Sequence, residues 1–279
     1  SDLGWILDAF AGAGGLKGWQ WLFLLEALPS LVLGIAVFWL LPDRPRDAAW
    51  LTPNERDVLE RQIASEIAQR ERIQKFSVAE ALTHPRVLAL SLVYFGIVTG
   101  MYGLSFWLPQ IVKGFGFSNT ATGFISAIPY LAAAGAMVAW GRRSDVRRER
   151  VWHIALPAFV GGAALIASTA VTHVVPAMAL MTIAAAGIFT ALPVFWTLPT
   201  ALLTGAAAAG GIALINAIGN IGGFIGPYLV GWLQGQGLSS HIAVASLACF
   251  ALLAGLIVLA IGHDARLEHG DDATTKAPT

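Results

Sequence analysis

Seven long apolar stretches constrain this chain more than any other feature of its sequence. Each is long enough to cross the hydrocarbon core of a bilayer as a helix, which takes roughly 20 residues. They cover residues 19–41, 87–112, 120–140, 151–171, 175–203, 211–234 and 241–262, and residues 1–10 look like the end of another span. Backbone polar groups inside a bilayer must be satisfied within the protein, and a helix does this locally. The sequence therefore predicts an all-α polytopic membrane protein.

Composition excludes several other classes of protein. Only 12% of the residues are charged, against about 25% in soluble domains. A net charge of zero leaves no basic footprint for nucleic acid. The six histidines have no metal-ligand spacing, and Cys249 stands alone. No nucleophile–base pair or phosphate-binding loop is present, so neither an enzyme nor a resident cofactor is expected.

The basic residues predict an orientation in the membrane. Spans alternate between sides, so one set of loops comprises 42–86, 141–150, 204–210 and the tail from 263. This set holds all of the 17 lysines and arginines except Lys17 and Lys113. Because cytoplasmic loops carry the excess of positive charge, the central loop and the C-terminus are expected in the cytoplasm, in a plasma (cytoplasmic) membrane.

The organisation predicted from this pattern has four parts. Residues 1–41 hold the end of one span and a complete span, 42–86 a cytoplasmic central loop, 87–262 a six-helix bundle, and 263–279 a disordered cytoplasmic tail. No initiator methionine and no signal-peptide pattern is visible at Ser1, so the sequence is expected to begin within a longer protein. Six spans behind a long loop suggest the second half of a transporter built from two six-helix repeats, with about five spans of the first half preceding residue 1.

The central loop contains a predicted amphipathic helix. Thr52 is a plausible N-cap, Pro53 occupies the first helical position, and Glu55 completes a capping box. Leu59, Ile63 and Ile67 form an apolar stripe. Two interpretations stay open: a helix at the membrane surface or against helix ends, and a solvated linker helix.

Two asparagines stand within the sixth apolar stretch. Asn216 and Asn220 lie one turn apart beside a glycine face that carries two overlapping GxxxG patterns. An asparagine facing lipid would leave hydrogen bonds unmade at a cost of several kcal/mol. Both side chains are therefore expected to face protein or water, either joining helices or lining a polar cavity.

Other polar groups follow the same rule. Ser91, Tyr102 and Ser105 share one face of the second stretch, while Pro193 and Pro199 interrupt the fifth around Trp196. Residues 87–141 and 151–262 contain no Asp, Glu or Arg. Glu26 is the one acid well inside a span, and it serves either structural pairing with the preceding half or a proton or substrate role.

The basic loop WGRRSDVRRER at 140–150 is more specific than a simple run of arginines. Gly141 permits a tight turn, and Asp145 is placed to cap a helix or to pair with Arg142 or Arg148.

Several longer motifs are familiar in combination. They include GWQWLFLLEALPS, YFGIVTGMYGLSFWLPQIVKGFGFSN, AIPYLAAAGAMVAWGRRSD and ALPVFWTLPTALLTGAAAAGGIALINAIGNIGGFIGPYLVGWL. With them, residues 1–262 resemble the second half of a major facilitator superfamily transporter. The closest resemblance is to the anion:cation symporter family of tartrate, phthalate and sugar-acid carriers.

The resemblance implies roles for particular residues. Trp196 and Asn216 match positions that line the substrate cavity of sugar-acid carriers, with Tyr102 and Ser105 facing the same cavity and Asn220 as a further candidate. Gly141, Arg142, Asp145 and Arg148 match the signature loop that latches helix ends in one gating state. The family's anion-binding cation and proton-coupling acids lie on early helices that this chain lacks.

The resemblance therefore implies that the whole protein imports organic anions such as tartrate or a sugar acid with a proton as coupling ion. Transport would proceed by rocker-switch alternating access, and this chain alone would be inactive. The expected partners are a small organic anion, the lipid bilayer and the missing N-terminal half. Two alternatives stay open: facilitated diffusion of a neutral solute, and a non-transporting membrane scaffold.

Overall fold

The apolar stretches fold as helices in a computed structural model that describes residues 9–73, 77–203 and 205–262. All seven predicted spans are confirmed as helices long and apolar enough to cross a membrane. The chain divides into two compact units, one ending at Arg72 and the other beginning at Ile73. The predicted disordered tail at 263–279 lies outside the described residues.

The first unit contains one span and one polar helix. Helix α1, Gly18–Leu40, carries the first apolar stretch and is exposed along its most apolar window. Helix α2, Pro53–Ile73, follows the short 3-10 turn Pro45–Asp47. The predicted capping box is confirmed, because the Thr52 backbone N–H donates to Glu55 Oε2 at 2.9 Å and the Glu55 N–H donates to Thr52 Oγ1 at 3.4 Å.

The second unit holds the other six spans. Its helices are α3 Val78–Thr83, α4 Pro85–Gly114, α5 Asn119–Arg147, α6 Val151–Ser168, α7 Val174–Phe195, α8 Thr197–Leu202, α9 Gly205–Gly235, α10 Ser240–Ala245 and α11 Ala248–Ile261. Two predicted spans are broken helices: α7 with α8, and α10 with α11. The short helix α3 was not predicted, although Ser77 and Glu80 form a capping box like that of α2.

Helix α4 lies at the centre of the second unit. It packs against α9, α11 and α7, while α6 packs on α7 and α11, and α5 packs on α7. In the most apolar segment of each helix, about two thirds of the residues of α4 are buried, but only 22% of those of α5 and 22% of those of α9. Helices α5 and α9 therefore present long faces that the other described helices of the second unit do not cover.

Glycines allow the close approach of α4 and α9. A Cβ atom added at Gly222 would lie 2.8 Å from the Phe95 carbonyl oxygen, and one at Gly226 would overlap the Thr99 carbonyl oxygen. The overlapping GxxxG patterns are thus the contact face predicted from sequence. Trp107 adds a hydrogen bond between α4 and α9, since its indole N–H donates to the Pro227 carbonyl at 3.1 Å.

Candidate functional site

The break between α7 and α8 places an indole at a polar interruption of the membrane helix. Trp196 stands at the junction, between Phe195 at the end of α7 and Thr197 at the start of α8. Thr197 Oγ1 donates to the Val194 carbonyl at 2.7 Å, and Thr200 Oγ1 donates to the Trp196 carbonyl at 3.1 Å. These hydroxyls satisfy backbone groups near the prolines, which makes the interruption tolerable inside a bilayer.

An aromatic cluster joins this break to α4 and α9. The ring of Tyr94 stacks on Phe195 with centroids 5.3 Å apart and meets Trp196 edge-on at 4.9 Å. Its other side lies against Gly219, where a Cβ atom would overlap the ring. Tyr94 is buried, with 8% of its surface exposed.

The two predicted asparagines flank Gly219 on α9 and form a pair. Asn220 Nδ2 donates to the Asn216 backbone carbonyl at 2.9 Å and to Asn216 Oδ1 at 2.6 Å. Both side chains are exposed. The pairing leaves the Asn216 amide N–H groups and the Asn220 amide oxygen without a partner among the described residues. We call Tyr94, Trp196, Asn216 and Asn220 the aromatic–amide cluster.

The candidates from α4 lie further along the same contact. The Tyr102 ring packs on Gly223, one turn beyond Gly219, and is 45% exposed. Ser105 is half-buried, and no contact joins it to the aromatic–amide cluster in the described structure. Ser91, expected on the same face, is buried and donates to the Val87 carbonyl. The structure therefore places Tyr102 next to the aromatic–amide cluster, whereas Ser91 is buried away from the surface of that cluster.

The cluster contains no ionisable carboxylate, amine or guanidinium group. Residues 87–141 and 151–262 supply only Lys113 of these groups, and its ammonium donates to Asn119 Oδ1 at the start of α5. Within the described ranges, no three histidine, cysteine, aspartate or glutamate side chains are grouped to hold a metal. The site can offer neutral hydrogen bonds and aromatic surface, but neither a counter-charge for an anion nor a proton-binding acid.

Glu26 lies in α1 of the first unit. Its side chain is exposed and makes no hydrogen bond or ion pair with the described residues. An exposed carboxylate at this depth of an apolar helix needs a protein or water neighbour. Both sequence-based interpretations, pairing with a preceding half and a proton or substrate role, thus stay open.

The basic loop has a defined structure, and two expectations for it need correction. Gly141 makes no turn, because α5 continues through it to Arg147. The chain turns at Arg148, which adopts the left-handed conformation with φ 49°. The ion pair that the structure shows for Asp145 is with Arg150, at 2.6 Å, rather than with Arg142 or Arg148.

Neighbouring groups fix this turn. Buried Ser144 donates to the Glu149 carbonyl at 2.6 Å and accepts from Arg150 at 2.9 Å. Glu149 accepts from the backbone N–H of Trp152 and caps the start of α6. The turn therefore joins the ends of α5 and α6 through charge-assisted hydrogen bonds, an arrangement able to hold the two helix ends together. Arg142, the remaining candidate, is an exposed residue of α5.

Comparison with known proteins decides the family. The profile of the Major Facilitator Superfamily matches residues 3–227. The chain belongs to the Major Facilitator Superfamily. This confirms the resemblance drawn from the motifs, and with it the interpretation as a multi-pass membrane protein and not an enzyme.

Individual relatives carry transporter names. A protein of Agrobacterium vitis named "Putative tartrate transporter" is 46% identical over 223 residues, which are 80% of this chain and 49% of that protein. The protein of Pseudomonas putida named "Putative metabolite transport protein NicT" is 38% identical over 260 residues, or 92% and 59%. The "Inner membrane transport protein RhmT" of Escherichia coli is 34% identical over 265 residues, or 94% and 60%. The chain thus spans between about half and three fifths of the length of these relatives.

Two contributors to the site were missed by sequence reasoning. Tyr94 links Trp196 to α9, yet in sequence it is one tyrosine in an apolar run, and only the three-dimensional packing shows its role. Arg150 was counted as a loop charge and is the partner of Asp145. For Arg150 the sequence did contain a signal, since it directly precedes α6 and faces the end of α5 across a short turn.

Proposed function

We propose that this chain is the C-terminal part of a secondary active transporter that imports organic anions, of the tartrate-like dicarboxylate or sugar-acid class. The observation that carries the proposal is the aromatic–amide cluster. Its two amide side chains are exposed on a transmembrane helix, where an unpaired amide facing lipid would cost several kcal/mol. A water-accessible pathway with a hydroxyl-rich solute gives these groups partners.

The chemistry of the cluster fits part of such a substrate. Amide N–H and phenol O–H groups donate to carboxylate and hydroxyl oxygens, and an indole offers an apolar wall and one N–H. Two relatives are named for tartrate transport, which supports an organic anion over an unrelated solute. Tyr102 and Ser105 are proposed to extend this wall along α4.

The charges that an anion and a proton require are proposed to lie on a preceding N-terminal half. Residues 87–141 and 151–262 contain no acid and no arginine, so a cation for the carboxylate and an acid for proton coupling must come from elsewhere. Helices α5 and α9 have uncovered faces on which another half can pack. We therefore propose proton symport by rocker-switch motion of two halves, with this chain alone inactive.

The arginine-rich turn is proposed as a latch for this motion. Gly141, Arg142, Asp145 and Arg148 lie at the end of α5 that carries the positive charge, on the proposed cytoplasmic side of the plasma membrane. The Asp145–Arg150 pair ties α5 to α6 within this unit. The exposed Arg142 remains available to contact the other half in one gating state.

Uptake of labelled tartrate into proteoliposomes tests the proposal. The complete native protein is compared with the 279-residue chain, each with and without an inward proton gradient. Gradient-driven accumulation by the complete protein alone is expected. Uptake that does not depend on the proton gradient would favour facilitated diffusion. Absence of uptake for every organic anion tried would favour a scaffold. Robust uptake by the 279-residue chain would contradict the proposal that this chain alone is inactive.

A further inference from the structure

A groove separate from the aromatic–amide cluster opens on the outer surface of the bundle. Helices α5 and α6 both pack along α7 but touch each other little, so a space of about 530 Å³ remains between them with α7 as its floor. Its walls are mostly small or apolar side chains, including Ala136, Ala139, Leu156 and Val160. Leu156 and Val160 are more than 40% exposed, so the groove faces sideways, toward the surroundings of the bundle.

One end of the groove carries a cation held in place by an aromatic ring. The Arg143 guanidinium lies 5.2 Å from the centroid of the Trp140 ring, and both residues line the groove. Trp140 is itself anchored, since its indole N–H donates to the His153 carbonyl at 3.0 Å. Arg143 is exposed and has no ion-pair partner within the described residues. Its donors are therefore available to an anion from outside the chain.

A buried hydroxyl without a partner also lines the groove. Thr190 is only 4% exposed, and its Oγ1 makes no hydrogen bond in the described structure. Gly187 packs on the Pro157 carbonyl and on Gly161 of the antiparallel helix α6, so Thr190 lies one turn nearer the arginine-rich end. Burying a hydroxyl without a partner is unfavourable, and an acceptor entering the groove would relieve this cost.

We propose that this groove binds an anionic phospholipid. The phosphate pairs with Arg143, a glycerol ester carbonyl accepts from the Thr190 hydroxyl, and an acyl chain lies against Ala136 and Ala139. The wall from Arg143 to Ala136 is about 10 Å long at 1.5 Å per residue, within the roughly 15 Å depth of one leaflet. Basic pockets between membrane helices are suited to anionic headgroups.

The surrounding charge favours an anion over a zwitterion. The turn from Arg142 to Arg150 carries five arginines against two acids, Asp145 and Glu149. Asp145 is engaged by Arg150, and Glu149 pairs with His153. The end of the groove therefore has a net positive field in which a lipid with a net negative headgroup is preferred.

Native mass spectrometry of the delipidated 279-residue chain tests the proposal, with added phosphatidylglycerol or phosphatidylcholine. Wild type is expected to retain more phosphatidylglycerol. Arg143→Gln should lower that binding about fivefold, the effect of one basic residue near an anionic surface, and Arg143→Lys should retain most of it. The matched control Arg142→Gln, outside the groove, removes the same charge from the surrounding field but no contact, and should lower binding much less than Arg143→Gln. Circular dichroism and gel filtration verify that each variant is folded.

Groove filling distinguishes lipid binding from surface charge alone. Ala139→Leu should reduce retention of both lipids, whereas Ala134→Leu, on the same helix outside the groove, should not. Glycerol 3-phosphate, which has the headgroup chemistry but no acyl chain, should not displace bound lipid. Equal losses for the two arginine variants, full retention by Ala139→Leu, or displacement by glycerol 3-phosphate would each overturn the proposal.

Discussion

Replacing Gly219 with alanine tests the packing that holds the aromatic–amide cluster together. The new methyl group would overlap the Tyr94 ring, which cannot move aside freely because Phe195 stacks on it at 5.3 Å and Trp196 meets it at 4.9 Å. Overpacking of this kind costs about 1–3 kcal/mol, and a disturbed aromatic pair adds about 0.5–1.5 kcal/mol. Alanine returns about 0.5–1 kcal/mol in a helix interior. The expected net loss is about 1–3 kcal/mol.

Denaturant unfolding of the purified chain in detergent measures this loss. Gly123→Ala is the matched control, since a Cβ atom at Gly123 meets nothing within 4 Å, and it should leave stability unchanged or slightly raised. A double-mutant cycle with Tyr94→Ala isolates the contact. With the ring removed, Gly219→Ala should become nearly neutral. If Gly219→Ala costs the same stability with and without the Tyr94 ring, the ring does not pack against Gly219, and the reasoning is refuted.

Three further predictions concern other contacts. Trp107→Phe removes the hydrogen bond to the Pro227 carbonyl and should cost about 1 kcal/mol in the same unfolding assay, against no loss for Trp39→Phe, whose indole is 80% exposed. Ser144→Ala removes both hydrogen bonds of a buried hydroxyl and should cost about 1–3 kcal/mol. An unchanged midpoint would contradict the described turn. The Thr52 N–H lowers the pKa of the Glu55 carboxyl. The cap of α2 therefore stabilises above the usual carboxyl range, about pH 4, and is lost as pH falls through the lowered pKa. Protection of the first-turn amides of α2 against hydrogen exchange, measured relative to the intrinsic rate at each pH, should fall there in wild type and be low at all pH values in Thr52→Ala.

The spans could be predicted because hydrophobic length decides them almost alone. A stretch such as 87–112 has no alternative to a buried helix in a membrane protein, and α4 follows it with a few residues added at each end. The capping box at Thr52 was equally local, since both partners are three residues apart. The same signal at Ser77 went unused because the loop was interpreted as carrying a single helix.

Features that depend on contacts between helices were harder to predict. The resemblance selected Trp196 and Asn216, but the tyrosine that connects them is distinguished only by its neighbours on α7 and α9. A glycine is the usual choice for a turn, which favoured Gly141. The helix instead ends where Ser144 and Arg150 close the turn, and Arg148 takes the left-handed conformation.

The most direct test of the central claim is the KM for tartrate uptake by the complete protein carrying Asn216→Ala. Asn119→Ala, at the start of α5 where its side chain accepts from Lys113, is the matched control, and immunodetection gives the amount of each variant in the membrane. If Asn216 contacts the substrate, its loss should raise KM about fivefold to tenfold, as for one hydrogen bond to a polar or charged group, with normal amounts of protein. An unchanged KM with reduced protein would show that the asparagine only joins helices and would contradict the account.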